Sequence, residues 1–302
     1  MEGTYPPSAA LTRIPSEQAQ SHARAGDHVQ CLECRGDSRR HQIINKELRR
    51  LKPDLLALQE VIQTREKASL DTIVDGLDMH ITHQQDVQAF QPPYSDRYGG
   101  TAIATRWQHR VVEVLDPRMP QAPDVPWATL AAVVNLGDVG SLLFIATTAA
   151  WRPAAEVARE RHAVALSDLD TRHRQDLPTL IAGDLNAEPD AASIRFLTGR
   201  QSLEGRSVCY YDAWEIAGIG TGKTWTGVNP NAMAGAERII GQRNYHRRFD
   251  YVLVGSWDAH PKGRAEIQSA ECVLDRPVDG IWPSDHYGVM VDIDVGPNAK
   301  AG

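Results

Sequence analysis

Short apolar runs alternate with amphipathic ones along most of this chain. From Asp37 or Ser38 to Leu51, apolar residues recur at Ile44, Leu48 and Leu51, the spacing of one helical face. Asp37 or Ser38 supplies a capping oxygen, and Lys52-Pro53 ends the helix because the residue before a proline is driven out of helical geometry. DLLALQ (54–59) follows as a continuous apolar run of strand length. TAIAT (101–105), LAAVVN (130–135), LLFIATT (142–148), TLIAG (179–183), YVLV (251–254) and YGVMVDI (287–293) share that character and predict further buried strands. Pro153 predicts the start of a second long helix, since proline suits a first helical turn, with Ala158, His162, Ala165 and Leu169 on one face. EPDAASIRFL predicts a short helix, whereas 203–248 keeps no period and reads as irregular. Interleaved strands and helices with one long irregular stretch predict a layered α/β fold.

Residues 1–27 are rich in Pro, Ser, Ala and polar side chains and read as a flexible N-terminal tail; 296–302 read as a C-terminal tail. No repeat or linker interrupts 28–295, so that span is expected to be one domain, long enough to bury a core without staples. Lys+Arg total 32 against Asp+Glu 39, a net charge of -7. That balance disfavours general affinity for nucleic acid but leaves room for a local basic patch, for which RGDSRRHQ (35–42) and RNYHRRF (243–249) are candidates. No run is apolar enough to span a bilayer, and the first residues lack the apolar core of a secretory signal. The expectation is a cytoplasmic protein without a membrane partner. Of four cysteines, Cys31, Cys34, Cys209 and Cys272, the first two form a lone CxxC with no second pair at zinc spacing, so two reduced thiols are expected there over a redox or zinc site.

Three predicted strands end in polar groups. LLALQ stops at Glu60, LLFIAT at Thr148, and TLIAG at Asp184, followed two residues on by Asn186. A rigid sheet that presents polar side chains at its strand ends is a common way to build a site. Taken singly, each has a plain reading: Asp and Asn both favour tight turns, and a carboxylate after a strand is usually just solvated. Near the C-terminus, Trp282-Pro283-Ser284-Asp285-His286-Tyr287 sets a fixed negative charge beside a titratable imidazole just before a strand. RRFDYVLV puts Asp250 at the mouth of another strand, where it can orient a histidine ring or, equally, pair with Arg247 or Arg248.

Together, PDLLALQEV (53–61), GGTAIATR (99–106), LIAGDLNAEPD (180–190), RRFDYVLV (247–254) and PSDHYGVMVDI (283–293) resemble the endonuclease/exonuclease/phosphatase superfamily, the DNase I-like fold. TGKTWTGVNPN (221–231) is similar to a TW…NP loop of some bacterial members. The resemblance implies a four-layer αββα sandwich of two packed mixed sheets between helices. It also implies hydrolysis of a phosphate ester at a divalent metal, Mg²⁺ with Mn²⁺ as the alternative. Carried over residue by residue, Glu60 is the metal ligand, a hard oxygen donor suited to Mg²⁺. Asp184 orients or deprotonates the attacking water, and Asn186 holds the phosphate or nucleophile. His286 stabilises the phosphoryl oxygens, Asp250 holds its ring, and Asp285 assists the metal or its waters.

Two positions depart from the family pattern. VQCLECRG (29–36) sets Glu33 where members carry an Asn; Glu33 would add a charge beside Glu60 and join the metal ligands, or point elsewhere and leave the place to Asn45 or another side chain. In FIATTAAW (144–151), Thr148 stands where many bacterial members have the His of a THL motif. An alcohol cannot protonate a leaving group efficiently near pH 7, and loss of one general acid costs about two to four orders of magnitude in rate. His246 is a candidate replacement, while His162 reads as a packed or surface residue. The expected activity is metal-dependent hydrolysis of a phosphodiester or phosphomonoester, with a small-molecule substrate favoured over nucleic acid. The alternatives are altered chemistry on a substrate lacking phosphate, and a non-catalytic binding protein.

Overall fold

A computed structural model describes residues 8–13, 28–30, 38–63, 69–87, 99–118, 125 and 127–298. The chain runs through β1 (Ser8–Arg13), β2 (His28–Gln30), α1 (Ser38–Leu51), β3 (Leu55–Val61), α2 (Ser69–Val74), β4 (His80–His83), α3 (Gln84–Val87) and β5 (Gly100–Thr105). It continues with β6 (His109–Leu115), β7 (Thr129–Asn135), β8 (Ser141–Thr148), α4 (Glu156–His173), β9 (Leu180–Asp184), α5 (Ala192–Leu197), β10 (Tyr210–Asp212) and α6 (Ala213–Ala217). The last part holds β11 (Trp225–Thr226), α7 (Pro230–Ile240), β12 (His246–Arg247), β13 (Asp250–Gly255), β14 (Gly263–Val273) and β15 (Gly288–Pro297).

The strands form two mixed sheets and a small ribbon. The first sheet has the order β14-β15-β1-β2-β3-β5-β4, the second β10-β13-β9-β8-β7-β6, and β11 pairs with β12. Alternation along each strand sorts the apolar residues into layers. Leu55 and Ala57 of β3 meet Phe144 and Ala146 of β8, Leu180 and Ala182 of β9, and Val252 and Val254 of β13 in the core between the sheets. The intervening residues face outward: Leu56 and Leu58 pack on Ile44 and Leu48 of α1 and Ile73 of α2. Likewise Leu143, Ile145, Ile181 and Leu253 pack on Val164, Leu166 and Leu169 of α4 and Phe196 of α5. Strands covered on both faces need no polar side, which is why they read as continuous apolar runs. The result is the four-layer αββα arrangement expected from the sequence.

Several boundaries differ from expectation. Ser8–Arg13, placed in a flexible tail by composition, runs parallel to β15 and antiparallel to β3, because backbone pairing does not require an apolar sequence. The last strand extends to Pro297, beyond the expected domain end at 295. The second long helix begins at Glu156 rather than Pro153. The Arg159 guanidinium takes the carbonyls of Ala150, Arg152 and Pro153, so they do not open a helix. The stretch 203–248 is not irregular throughout: it contains α6 and the eleven-residue α7. Among the described residues, Cys209 and Cys272 are free thiols; Cys31 and Cys34 lie outside the described residues, as does Glu33. No helix of the described residues is long and apolar enough to cross a membrane.

Candidate active site

Topology brings the polar strand ends together. Strands β8 and β9 are parallel, so Thr148 and Asp184 fall side by side. Strand β13 runs antiparallel to β9, and its first residue, Asp250, is the partner of Asp184. From the other sheet comes Glu60 near the end of β3, and the segment leading into β15 supplies Asp285 and His286. Glu60, Asp184, Asn186, Asp285 and His286 line one cavity of about 210 Å³, and Asp250 lies behind His286.

Two glycines make this convergence possible. Gly183 has φ 153°, and a Cβ there would lie 1.8 Å from the Thr147 carbonyl oxygen, so only glycine allows β9 to lie this close to β8 before Asp184. Gly99 has φ 64°, and its Cβ would meet the Glu60 carbonyl oxygen at 2.3 Å. The β3–β5 pairing slips between Leu58 and Val61, and Glu60 itself sits at φ 58°. A bulge of this kind re-aims one side chain, and here it keeps Val61 in the outer cluster with Leu58 while Glu60 faces the cavity.

The carboxylates and imidazole are buried and closely linked. His286 Nδ1 lies 2.8 Å from Asp250 Oδ2. Asp184, Asp250 and His286 each offer an atom within 4.8 Å of the others. Asn186, at φ 48°, donates its backbone N–H to Asp184 Oδ1 and its side-chain amide to Asp184 Oδ2, both at 2.8 Å. The Asp-Asn spacing is therefore a turn and a site at once. Trp225 Nε1 donates to Asp285 Oδ2 at 3.3 Å. Burial raises the Asp184 pKa to about 8, with the Asp250 charge adding to the effect. Burial also raises Asp285. Burial alone would depress His286, but the charge and hydrogen bond of Asp250 outweigh it and raise the ring to about 9.

Several residues with more than one reading in the sequence have the following partners. Arg248 binds Asp212 through two hydrogen bonds of 2.9 and 2.6 Å, which leaves Asp250 to the histidine. Asn45 donates to the carbonyls of Ile73 and Asp75 and ties α1 to α2, so it does not serve the cavity. His162 is buried between α4 and the second sheet, with Nε2 near the hydroxyls of Thr129 and Thr147. His246 lies 2.6 Å from Asn244 Oδ1 and is not among the residues lining the cavity. Thr148 is fully buried, and its hydroxyl has no hydrogen-bond partner. In the arginine-rich segment 243–249, Arg247 reaches the cavity and Arg243 pairs with Glu237, whereas the described residues of 35–42 do not line it.

Sequence reasoning missed the residues that hold the site in place. Asn229 caps α7 by accepting the Asn231 N–H and donates its amide to the Ser284 carbonyl at 2.7 Å, joining α7 to the segment that carries Asp285. Glu188 accepts from the Arg248 N–H and from Lys223. Arg159, Trp151 and Phe249 also line the cavity. The Asn-Pro pair and Gly241 were legible helix signals; the roles of Arg159 and Trp151 carried none.

Residues 32–286 match the Endonuclease/Exonuclease/phosphatase family, and the chain belongs to that family. Solved structures share the fold. An endonuclease/exonuclease/phosphatase family protein from Leptotrichia buccalis has a TM-score of 0.62 at 15% identity, over 87% of this chain and 96% of that one. The human Nocturnin catalytic domain with bound sulfate anion has a TM-score of 0.62 at 17% identity, over 96% and 94%. D. rerio TDP2 complexed with single strand DNA product has a TM-score of 0.60 at 17% identity, over 84% and 91%. Comparison with curated proteins finds no match.

Proposed function

We propose that this protein hydrolyses phosphate esters with the help of a divalent cation, and that its substrate is a small phosphodiester or phosphomonoester. The observation that carries this reading is the convergence of Glu60, Asp184, Asn186, Asp285 and His286 on one cavity from separate strand ends. The donor set fits a hard cation. Glu60, Asp184 and Asp285 are buried along the cavity with Asp250 against His286, and a divalent ion would favour the ionised forms of these carboxyl groups. Because Asp250 is committed to His286, Glu60 and Asp285 are the oxygen donors assigned to the ion. Such a cation, Mg²⁺ or Mn²⁺, supplies charge stabilisation to the phosphoryl oxygens.

Each residue then has a defined task. In its ionised form Asp184 takes a proton from the attacking water at a carboxylate oxygen; with a pKa raised to about 8 that form is a strong base, and its share grows as pH rises through neutrality. The two hydrogen bonds from Asn186 hold that carboxylate in place. With Nδ1 engaged by Asp250, His286 keeps Nε2–H as the donor for a phosphoryl oxygen. Thr148 supplies no acid for the leaving group. The modest size of the cavity, about 210 Å³, and the net charge of -7 favour a small substrate over a long polyanion. The relatives bound to sulfate and to single strand DNA product are consistent with an anion-binding cleft in this fold.

The test is turnover of model phosphodiesters and phosphomonoesters, with single- and double-stranded DNA and RNA as further arms, in Mg²⁺ and Mn²⁺. Asp184→Ala is expected to reduce the rate about 10²–10⁴-fold. Wild-type turnover on every arm no higher than that of the variant would remove the proposal.

A further inference from the structure

The hydrolytic residues share their cavity with an aromatic region that meets them at Trp225, whose Nε1 donates to Asp285. Trp225 lies at its centre, with the Tyr245 ring edge-on at 5.8 Å and the Phe249 ring at 5.9 Å. Helix α7 rests against the same indole, where a Cβ at Gly235 would sit 3.0 Å from the Trp225 ring; Ile239 and Ile240 bring apolar side chains from the end of that helix. Trp151 completes the lining from the loop after β8.

That loop is tied down unusually well for an irregular segment. The Arg159 guanidinium is buried and donates to the carbonyls of Ala150 at 2.9 Å, Arg152 at 2.8 Å and Pro153 at 3.2 Å. Its Nε donates to Glu156 at 2.7 Å, and the other Glu156 oxygen accepts the Ser193 N–H at 2.8 Å. The half-buried Trp151 is thus held by a scaffold rather than by a mobile loop, so little ordering is needed when a ligand arrives. Positive charge lies close by: the Arg247 guanidinium stacks over Tyr245 at 3.7 Å, and Arg238 is exposed at the cavity edge.

We infer that this aromatic region receives one planar ring carried by the phosphate ester, and that Trp151 and Ile239 set the preference for it. This rests on the phosphoester reading of the adjoining carboxylates. Size supports it: an apolar cavity of about 150 Å³ holds benzene, so about 210 Å³ accommodates one ring beside an anionic group. Chemistry supports it too, since flat aromatic walls favour flat ligands and the nearby arginines complement the ester's charge.

Calorimetry on the full chain with Mg²⁺ tests the inference, using inorganic phosphate, phenyl phosphate and thymidine 5′-monophosphate as probes. At least one ring-bearing probe is expected to bind about tenfold tighter than inorganic phosphate, the advantage of one stacked ring. Trp151→Ala and Ile239→Ala should each shrink that ratio several-fold; Ile239, half-buried on α7, guards against a folding failure of the tryptophan variant. Tighter binding of the thymidine probe assigns the ring to a nucleobase, and tighter binding of phenyl phosphate to an aryl group. If inorganic phosphate binds and the rings add nothing, or neither variant changes the ratio, the inference is wrong while the phosphoester reading stands. Failure of all three anions to bind, with no turnover, removes both.

Discussion

At Gly183 a single absent side chain decides whether Asp184 reaches the cavity. Any Cβ there would sit 1.8 Å from the Thr147 carbonyl oxygen, which belongs to a central strand pair and has little room to move. Gly183→Ala is therefore expected to destabilise the fold by about 1–3 kcal/mol or more, read as a lower urea midpoint, and to lower turnover as Asp184 shifts. A variant with wild-type midpoint and rate would contradict the close approach. The Asp250–His286 pair allows a second residue-scale test. The neighbouring charge of Asp250 overcomes burial and raises the ring to about 9, so the protonated form persists well above neutral pH. Asp250→Asn removes that charge, and the imidazole pKa should drop by about one unit or more. The alkaline limb of the rate profile then moves toward lower pH, and an NMR titration of His286 should move with it. An unmoved limb would assign the alkaline fall to another group. The acidic and imidazole members of this site were legible because each follows or opens an apolar strand. Thr148 was legible only as a departure from the family pattern.

Elements show where reading from pattern stops. Strands β3, β7, β8, β9 and β13 are covered on both faces and announce themselves as unbroken apolar runs. Edge strands β6 and β14 are largely half-exposed and mix charged residues, Arg110 and Glu113 in one and Arg264, Glu266 and Glu271 in the other, among apolar ones, so neither was expected. The left-handed Glu60 could not be read from its own neighbours. It depends on a bulge against β5 and on Gly99 nearly forty residues away. Helix α7 is a different case: Asn229 as cap, Pro230 at the first turn and a left-handed Gly241 at the end were all visible, but the helix is short and only Ala232 and Ala236 are buried. Its tie to the site runs through Asn229. Removing that side chain in Asn229→Ala loses the cap, worth about 1–2 kcal/mol, and leaves the buried Ser284 carbonyl without its donor. The expected signature is a lower melting temperature together with a raised KM, because α7 and the Asp285 segment lose their link. A drop in stability with KM unchanged would make α7 a bystander.

For the whole molecule, the site is a concentration of charge that the fold must tolerate. Asp184 holds its proton up to about 8, mainly through burial and then through the charge of Asp250. An acid whose native pKa is raised binds more protons folded than unfolded, so the stability it contributes is full below about 3.8 and is lost progressively as pH rises from there through about 8. His286, raised to about 9, acts in the same sense: its contribution is full below about 6.5 and is lost as pH rises through about 9. His162 opposes them on the acid side. Burial holds it neutral down to about 4, so its contribution is present above about 6.5 and is lost as pH falls toward 4. On these three groups the stability of the metal-free protein is level between about 4 and 6.5, where Asp184 and His162 oppose one another, and falls from about 6.5 toward 9 as the site loses its protons. A divalent cation that binds only the folded chain adds about 2.7 kcal/mol at a hundredfold excess over its dissociation constant, which is roughly 5 °C in melting temperature for a chain of this size. Because protons compete for the same oxygens, the Mg²⁺-induced rise should be larger at pH 9 than at pH 6, and Glu60→Gln should reduce it at both. Thermal melts of wild type and variant at the two pH values, with and without Mg²⁺ or Mn²⁺, measure this directly. Melting temperatures indifferent to either ion would mean that the carboxylates gathered at these strand ends do not form a cation site.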